Sequence, residues 1–95
     1  IPFTKAVSPA KGLTAANSGN QTTLSWEASA DAVSYCVYVA LNDASDYTLV
    51  TETELLSYTV GSEKSDTDRA TYAVVAVDAN GRVSRRTWVN INPVA

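Results

Sequence analysis

The chain has 95 residues, with 10 acidic and 7 basic side chains and a formal net charge of −3. This length supports one hydrophobic core, and the acidic balance disfavours a nucleic-acid partner, whose phosphate backbone attracts positive charge. The single cysteine, Cys36, and the lack of histidine exclude an internal disulfide and the usual zinc sites. No apolar run reaches the roughly 20 residues that span a bilayer. We therefore expect one domain without membrane insertion, cofactor or metal.

Both ends of the chain are predicted to flank the domain, with packing of Phe3 and Val7 against it left open. Pro2 and Pro9 each fix φ and remove a backbone donor, so residues 1–10 are predicted to form a linker or lead-in segment. A further proline stops the last strand, so residues 93–95 are predicted to be a tail and residues 11–92 the domain. Because the chain contains no methionine, we expect it to be a piece of a longer protein.

Short segments with period-two alternation of apolar side chains run through the rest of the chain, separated by turn-forming clusters. The predicted strands are residues 11–16, 21–27, 34–41, 47–51, 57–60, 70–77 and 83–91. The polar run 61–69 is predicted to be a solvated loop. No capping residue opens an apolar i, i+3, i+4 repeat, so no helix is expected. Seven short strands of this kind predict an all-β sandwich.

The most informative stretch runs from Ala70 to Gly81. Its two faces carry Tyr72, Val74 and Ala76 on one side and Ala73, Val75 and Val77 on the other. Because both faces are apolar, this strand is predicted to lie in the middle of a sheet. The residues of Asp78-Ala79-Asn80-Gly81 tolerate the positive φ that tight hairpin loops demand, so the chain is expected to turn back at once into residues 83–91.

Several segments together resemble one known family. They are, in chain order, Pro9 with Leu13-Thr14, Leu24-Ser25-Trp26-Glu27, Tyr35-Cys36-Val37-Tyr38, Tyr58-Thr59-Val60 and the stretch from Tyr72 to Gly81. In order and spacing they resemble the fibronectin type III domain over nearly the whole chain. The start at residues 13–20, L-T-A-x-N-x-G-N, and the hairpin at residues 77–81, V-D-x-x-G, are similar to modules appended to secreted bacterial carbohydrate-active enzymes.

The resemblance implies a two-sheet, immunoglobulin-like sandwich of seven strands with fibronectin type III topology. The predicted strands at 11–16, 21–27 and 57–60 would form one sheet, and the remaining four strands the other. The family's corner tyrosine would fall at Ala70, so its hydroxyl contact is expected to be missing or taken over by Tyr72. The hairpin carries no Arg-Gly-Asp sequence, so the family's integrin-binding role does not transfer.

One surface is singled out by the outward parity of the larger sheet. The residues expected to point outward are Cys36, Tyr38, Ala73, Val75, Val77 and Trp88. Together they would form a contiguous apolar patch, and exposed patches mark partner surfaces. If the register of the last strand slips by one residue, Trp88 enters the core and the patch shrinks. Both registers stay open on the sequence alone.

The sequence offers no catalytic constellation. Glu52/Glu54 and Asp66/Asp68 are acidic pairs, but neither has an apolar cleft that would raise one pKa, as glycosidase carboxylates require. A calcium site using Asp66 and Asp68 is an alternative interpretation of the second pair. Cys36 has no histidine to activate it and is predicted to be inert packing.

Three hypotheses of function follow, none of them enzymatic. In the first, the chain is a non-catalytic accessory module of a larger polysaccharide-degrading enzyme. This enzyme would be bacterial and extracellular, periplasmic or at the cell surface, and the module would space its domains and pack against a neighbouring domain of the parent chain.

The second hypothesis is a carbohydrate-binding module that stacks sugar rings on Tyr38 and Trp88 and binds an acidic sugar with Arg85 or Arg86. The third is a protein-recognition or adhesion module that uses the loop at 78–81 or at 62–69. The candidate partner or sugar surface comprises Tyr38, Val75, Val77, Arg85, Arg86 and Trp88.

Overall fold

The computed structural model of the chain describes residues 7–18, 21–42, 45–61 and 68–91, with side chains throughout except at 17 and 18. These residues form seven β-strands, which are β1 Lys11–Ser18, β2 Gln21–Glu27, β3 Ala32–Leu41, β4 Thr48–Thr53, β5 Ser57–Thr59, β6 Ala70–Asp78 and β7 Thr87–Ile91. No helix that is long and apolar enough to cross a membrane occurs in them.

The strands form two antiparallel sheets. One has three strands in the order β1-β2-β5, and the other has four in the order β4-β3-β6-β7. The predicted all-β sandwich of seven strands, divided three and four, is confirmed. The prediction of a continuous last strand from Val83 was wrong, because β7 begins only at Thr87. Val83 forms an isolated bridge with Val77, and an extra residue interrupts the ladder beyond it.

The pair β3–β6 forms the centre of the larger sheet. It extends from Ala32 opposite Asp78 to Leu41 opposite Ala70, with one register shift between Ala32 and Ser34. The buried side chains that point from this pair into the core are Tyr35, Val37, Val39, Tyr72, Val74 and Ala76. Large residues lie opposite smaller ones, since Tyr35 pairs with Ala76 and Tyr72 with Val39. This pairing of large with small side chains lets the two strands pack closely in the core.

The smaller sheet covers this core from the other side through β2. Leu24 is fully buried and Trp26 is 4% exposed, while Ser25 between them is exposed, as the alternation of the sequence predicts. The Trp26 ring packs on Tyr35 at a centroid distance of 5.8 Å and an interplanar angle of 59°. A tilted aromatic pair of this kind adds about 0.5–1.5 kcal/mol beyond the burial of its area.

The hydroxyl of Tyr35 reaches across the interior to the loop after β2. It accepts a hydrogen bond from the backbone N–H of Ser29 at 2.8 Å, and the Ser29 hydroxyl donates to the Ser8 carbonyl at 2.6 Å. Both polar groups are thus satisfied inside the fold, where an unpaired group would cost about 1–3 kcal/mol.

Packing of the sandwich extends into the predicted lead-in segment. Val7 and Ala10 are 7% and 2% exposed and belong to the core. The Thr87 hydroxyl donates to the Ala10 carbonyl at 2.7 Å, which ties this segment to β7. The division of the chain at residues 10 and 11 stays a prediction, because residues 1–6 lie outside the described part.

The hairpin after β6 is a three-residue loop closed by Asp78. The Asp78 N–H donates to the Arg82 carbonyl at 2.9 Å and the Gly81 N–H to the Asp78 carbonyl at 3.0 Å, and Gly81 adopts φ +80°. The Asp78 carboxylate accepts the N–H groups of Asn80 and Arg82 and pairs with the Arg82 side chain at 3.1 Å. This is a type I turn followed by a left-handed glycine, so only Gly81 of the four predicted turn residues uses positive φ.

Ala70, at the start of β6, is the residue at which the resemblance predicts the family's corner tyrosine. Ala70 is 2% exposed and lies opposite Ile91, so no phenol is available there. Tyr72 is fully buried and lies opposite Val39 and Val89. The hypothesis that Tyr72 takes over the corner contact stays a prediction.

We expect Leu24→Ala to lower the free energy of unfolding by about 2–5 kcal/mol, because it leaves a cavity in the centre of the core. Urea denaturation followed by circular dichroism would measure the loss. The matched control is Leu49→Ala, since Leu49 is 54% exposed and its truncation should change stability by less than about 0.5 kcal/mol. Equal losses in the two variants would contradict this packing.

The second prediction concerns acid stability. The hydrogen bond from the Arg82 N–H holds the pKa of Asp78 below its ordinary value; the Asn80 N–H and the Arg82 charge add to this effect, and desolvation opposes it. With the folded-state pKa below the unfolded value of about 3.9, the carboxylate stabilises fully above that pH. This stabilisation is lost as the pH falls through the folded-state pKa.

The stability difference between the wild type and Asp78→Asn should therefore narrow as the pH falls from 7 to below about 4. Urea midpoints at each pH would measure it. Arg82→Gln is the control, because it removes the ion pair and keeps both backbone donors; it should retain most of the pH dependence. A difference that stays constant down to pH 2 would show that the Asp78 charge contributes nothing.

Candidate binding groove on the outer sheet face

One row of side chains crosses the outer face of the larger sheet. The strand register places Leu49 beside Tyr38, Tyr38 beside Ala73, and Ala73 beside Trp88. Leu49 and Trp88 are 54% and 63% exposed, whereas Ala73 has no exposed surface. Ala73 is thus covered by its larger neighbours, and two strand spacings, about 9.5 Å, separate the aromatic strand positions on either side of it.

A bulge determines which way Trp88 points. Val83 lies opposite Val77 and Thr87 opposite Val74, so three residues of one strand face two of the other. The N–H of Ser84 donates to the Ala76 carbonyl, and the Ala76 N–H donates to the Ser84 hydroxyl, each at 2.9 Å. Ser84 therefore pairs with Ala76.

Arg85 and Arg86 are left to face the single residue Val75. Because side chains alternate, an extra residue reverses the parity of everything beyond it. Trp88 consequently lies opposite Ala73 on the outer face, whereas an unbulged ladder would direct it toward the core. Of the two registers that the sequence left open, the structure has the one with Trp88 outside.

An open groove of about 880 Å³ lies between this bulge and the segment that leads into β4. The residues lining it are Tyr38, Ser45, Asp46, Tyr47, Val75, Val83, Ser84, Arg85, Arg86 and Trp88. Five of the six predicted surface residues therefore lie together. The sixth, Val77, is half-buried beside Val83 and does not line the groove.

The groove is less apolar than the expected patch. Ala73 and Val75 point outward but are 0% and 5% exposed, so they form a floor. The exposed apolar side chains that line the groove are Val83 and Trp88, of which only Trp88 belonged to the predicted set; the exposed Leu49 lies on the same sheet face outside the groove. The bulge adds two guanidinium groups, and the facing segment adds the carboxylate of Asp46.

Tyr47 is the main groove residue that sequence reasoning missed. Its ring lies under the guanidinium of Arg86, with 4.8 Å from Cζ to the ring centroid. A stacked guanidinium gains about 0.5–1 kcal/mol at an exposed site and keeps its in-plane N–H donors available. Tyr47 precedes the edge strand β4. Its contact partner, Arg86, lies at the far edge of the sheet, in the bulged segment that precedes β7. No local pattern announced this contact.

Cys36 lies on the outer face between Glu52 and Val75. Burial raises the pKa of the Cys36 thiol above its ordinary value, and the negative charge of Glu52 raises it further, whereas a hydrogen bond with Tyr38 acts in the opposite direction. The raised pKa disfavours the thiolate, which is the nucleophilic form of cysteine. Inert packing of Cys36 stays a prediction.

Of the acidic pairs, Glu52 and Glu54 both line one shallow, open depression, whose other lining residues are Val33, Ser34, Thr53 and Leu55. Glu52 also accepts a hydrogen bond from the Ser34 hydroxyl at 2.8 Å. Asp68 accepts the Asn42 side-chain amide at 3.2 Å. Asp66 lies outside the described residues, so its predicted alternative as a calcium ligand stays untested. Where side chains are described, no cluster of three acidic, cysteine or histidine residues could hold a metal ion.

Solved structures similar to this chain are fibronectin type III domains. The chain superposes on the domain FN3tt with a TM-score of 0.79 and 21% identity, over 96% of this chain and 98% of that one. An Fn3-like protein from Clostridium thermocellum matches with a TM-score of 0.72 and 26% identity, over 96% and 97% of the two chains. The chain thus has the fibronectin type III fold. No protein-family model matches it, and no curated protein matches its sequence.

Similar domains also occur inside longer chains. The β-1,2-glucanase from Parabacteroides distasonis matches with a TM-score of 0.76 and 21% identity, over 99% of this chain but 14% of the glucanase. Other matches lie in chains that carry a kinase region. Domains of this fold therefore accompany catalytic domains of different kinds.

The exposure of the two tryptophans gives a direct test of the register of β7. In Trp26→Phe the remaining Trp88 should be strongly quenched by acrylamide, and in Trp88→Phe the buried Trp26 should be protected. Stern–Volmer slopes in native buffer measure both, and the unfolded variants in urea serve as the reference for full exposure. A protected Trp88 would mean that the bulge is absent and that the ring lies in the core.

Proposed function

We propose that this fibronectin type III fold serves as a non-catalytic accessory module of a larger bacterial polysaccharide-degrading enzyme. The enzyme is exported and acts outside the cell, in the periplasm or at the cell surface. Within it, the module spaces other domains and packs against a neighbouring domain through the outer face of the four-stranded sheet.

The observation that carries this proposal is the exposed apolar surface of that face. Leu49, Val83 and Trp88 are 54%, 60% and 63% exposed on a sheet whose centre is fully packed. Covering large apolar side chains is favourable by about 25 cal/mol per Å² removed from water. The groove lined by Val83 and Trp88 also contains polar groups. This mixture is compatible with an interface between domains of one chain, because such interfaces are more polar than those of obligate oligomers.

The glucanase comparison supports the placement next to a polysaccharide-degrading domain, since a domain similar to the whole of this chain occupies a small part of that enzyme. It supports a non-catalytic role for the same reason. The fold alone does not determine function, so the proposal depends on the outer face rather than on the likeness.

Domain packing can be tested by comparing one substitution in two contexts. Trp88→Ser should change the stability of the isolated chain by no more than about 0.5 kcal/mol, as expected for an exposed side chain. In the parent enzyme it should lower the melting temperature of the module, because it weakens the contact with its neighbour. Differential scanning calorimetry of both proteins measures the two effects.

The matched control is Leu55→Ser, since Leu55 is 67% exposed but lies in the β4–β5 connection, away from the groove. It should behave alike in both contexts. If Trp88→Ser does not differ from this control in the parent, the outer face is not a packing surface and the proposal fails.

Carbohydrate binding is the second candidate, and the groove favours it specifically. Tyr38 and Trp88 flank the buried Ala73, and polar groups from Ser45 and Asp46 lie beside them. Exposed aromatic rings with adjacent hydrogen-bonding groups offer apolar faces for sugar rings and partners for their hydroxyls.

No comparable observation favours adhesion through the loops. The carboxylate of Asp78 is occupied by the turn's own backbone and by Arg82. The loop at 62–69 is described only at Asp68 and Arg69, and Asp68 accepts a hydrogen bond from Asn42.

A further inference from the structure

The groove holds two adjacent cations on one wall. Arg85 and Arg86 are both exposed, both lie in the bulged segment between Val83 and Thr87, and both line the groove. Among the described residues neither forms an ion pair, whereas the nearby Arg82 is paired with Asp78 at 3.1 Å. The positive charge of the groove is therefore available to a ligand rather than consumed within the fold.

One of these cations is held in place before any ligand arrives. The guanidinium of Arg86 lies over the Tyr47 ring at 4.8 Å, which restricts a side chain that is otherwise rich in rotamers. A planar guanidinium presents paired N–H donors that match the two oxygens of a carboxylate.

The charge on the opposite wall limits what the groove accepts. Asp46 lines the groove next to Tyr47, so a densely charged ligand such as a polysulfate would meet repulsion there. A ligand with single negative charges set apart by neutral groups fits two arginines and one aspartate better. Trp88 and Tyr38 add exposed aromatic surface on which neutral rings can stack.

We propose that the groove binds a glycan that carries carboxylate groups, with sugar rings on Trp88 and Tyr38 and a carboxylate on Arg85 and Arg86. This inference rests on the carbohydrate-binding candidate of the proposed function and adds the class of sugar. A neighbouring protein domain is the competing occupant of the same face.

The test compares polygalacturonate with its fully methyl-esterified form, because the two share a backbone and differ in charge. We expect the isolated chain to bind the acid form, to lose affinity as salt is raised, and to bind the ester at least about tenfold more weakly. Amide and indole shifts in two-dimensional NMR titrations give the affinities, and those of Tyr38, Val75 and Trp88 should move.

Two variants locate the interaction. Arg85→Gln/Arg86→Gln should weaken binding of the acid form at least about tenfold, and Trp88→Ala should weaken binding of both forms. Lys11→Gln removes one exposed charge from the smaller sheet and should leave the affinity unchanged. Dispersed amide spectra establish that each variant is folded.

The possible outcomes are distinguishable. Equal binding of acid and ester, lost only in Trp88→Ala, would overturn the carboxylate inference and leave the carbohydrate-binding candidate standing. An equal loss in Lys11→Gln, or binding of dextran sulfate as tight as that of polygalacturonate, would indicate a general anion surface and also overturn it. Binding of neither form would remove both the inference and the carbohydrate-binding candidate, while the packing role would still depend on the calorimetric test.

Discussion

The β3–β6 pair is the constraint on which the rest of the structure depends. Because side chains alternate along a strand, the position of each residue in this antiparallel pair determines whether it points into the core or onto the outer face. Tyr35 and Tyr72 lie opposite smaller residues on the inner face, so the second sheet can approach closely. On the outer face Ala73 and Val75 are small enough to be covered by their neighbours. The centre of the outer face is thus covered. The side chains that line the groove around it come from Tyr38 and from the segments next to the outer strands β4 and β7.

Strict alternation made part of this fold predictable. Strand β2 was predicted with its observed bounds, because Leu24 and Trp26 alternate with polar residues and leave one possible face for the core. The central strand was recognisable from its two apolar faces, and the turn residues that follow it bounded it. These signals are local, so they predict a strand without any information about the strands that pair with it.

The candidate site depends on relations that are not local. The orientation of Trp88 follows from how many residues oppose Val75 on the neighbouring strand, and Ser84-Arg85-Arg86 carries no glycine to announce a bulge. Tyr47 meets Arg86 across the width of the sheet. The sequence could therefore nominate Tyr38, Arg85 and Trp88 for one surface, but it could not choose between the two registers of β7 or predict that Tyr47 lines the groove. Similar folds occur beside different catalytic domains, so this local arrangement, rather than the fold, sets what the module recognises.

Because of the bulge, the number of residues in this segment determines which face of the sheet Trp88 lies on. One codon gained or lost between positions 84 and 87 would turn Trp88 over to the opposite face without altering the identity of any other side chain. Two related modules could then differ by a single gap and share every aromatic residue, yet one would display its tryptophan and the other would bury it. Gaps in an alignment of this region should therefore be placed before residue identities are compared. A single insertion or deletion during evolution can create or remove the recognition surface.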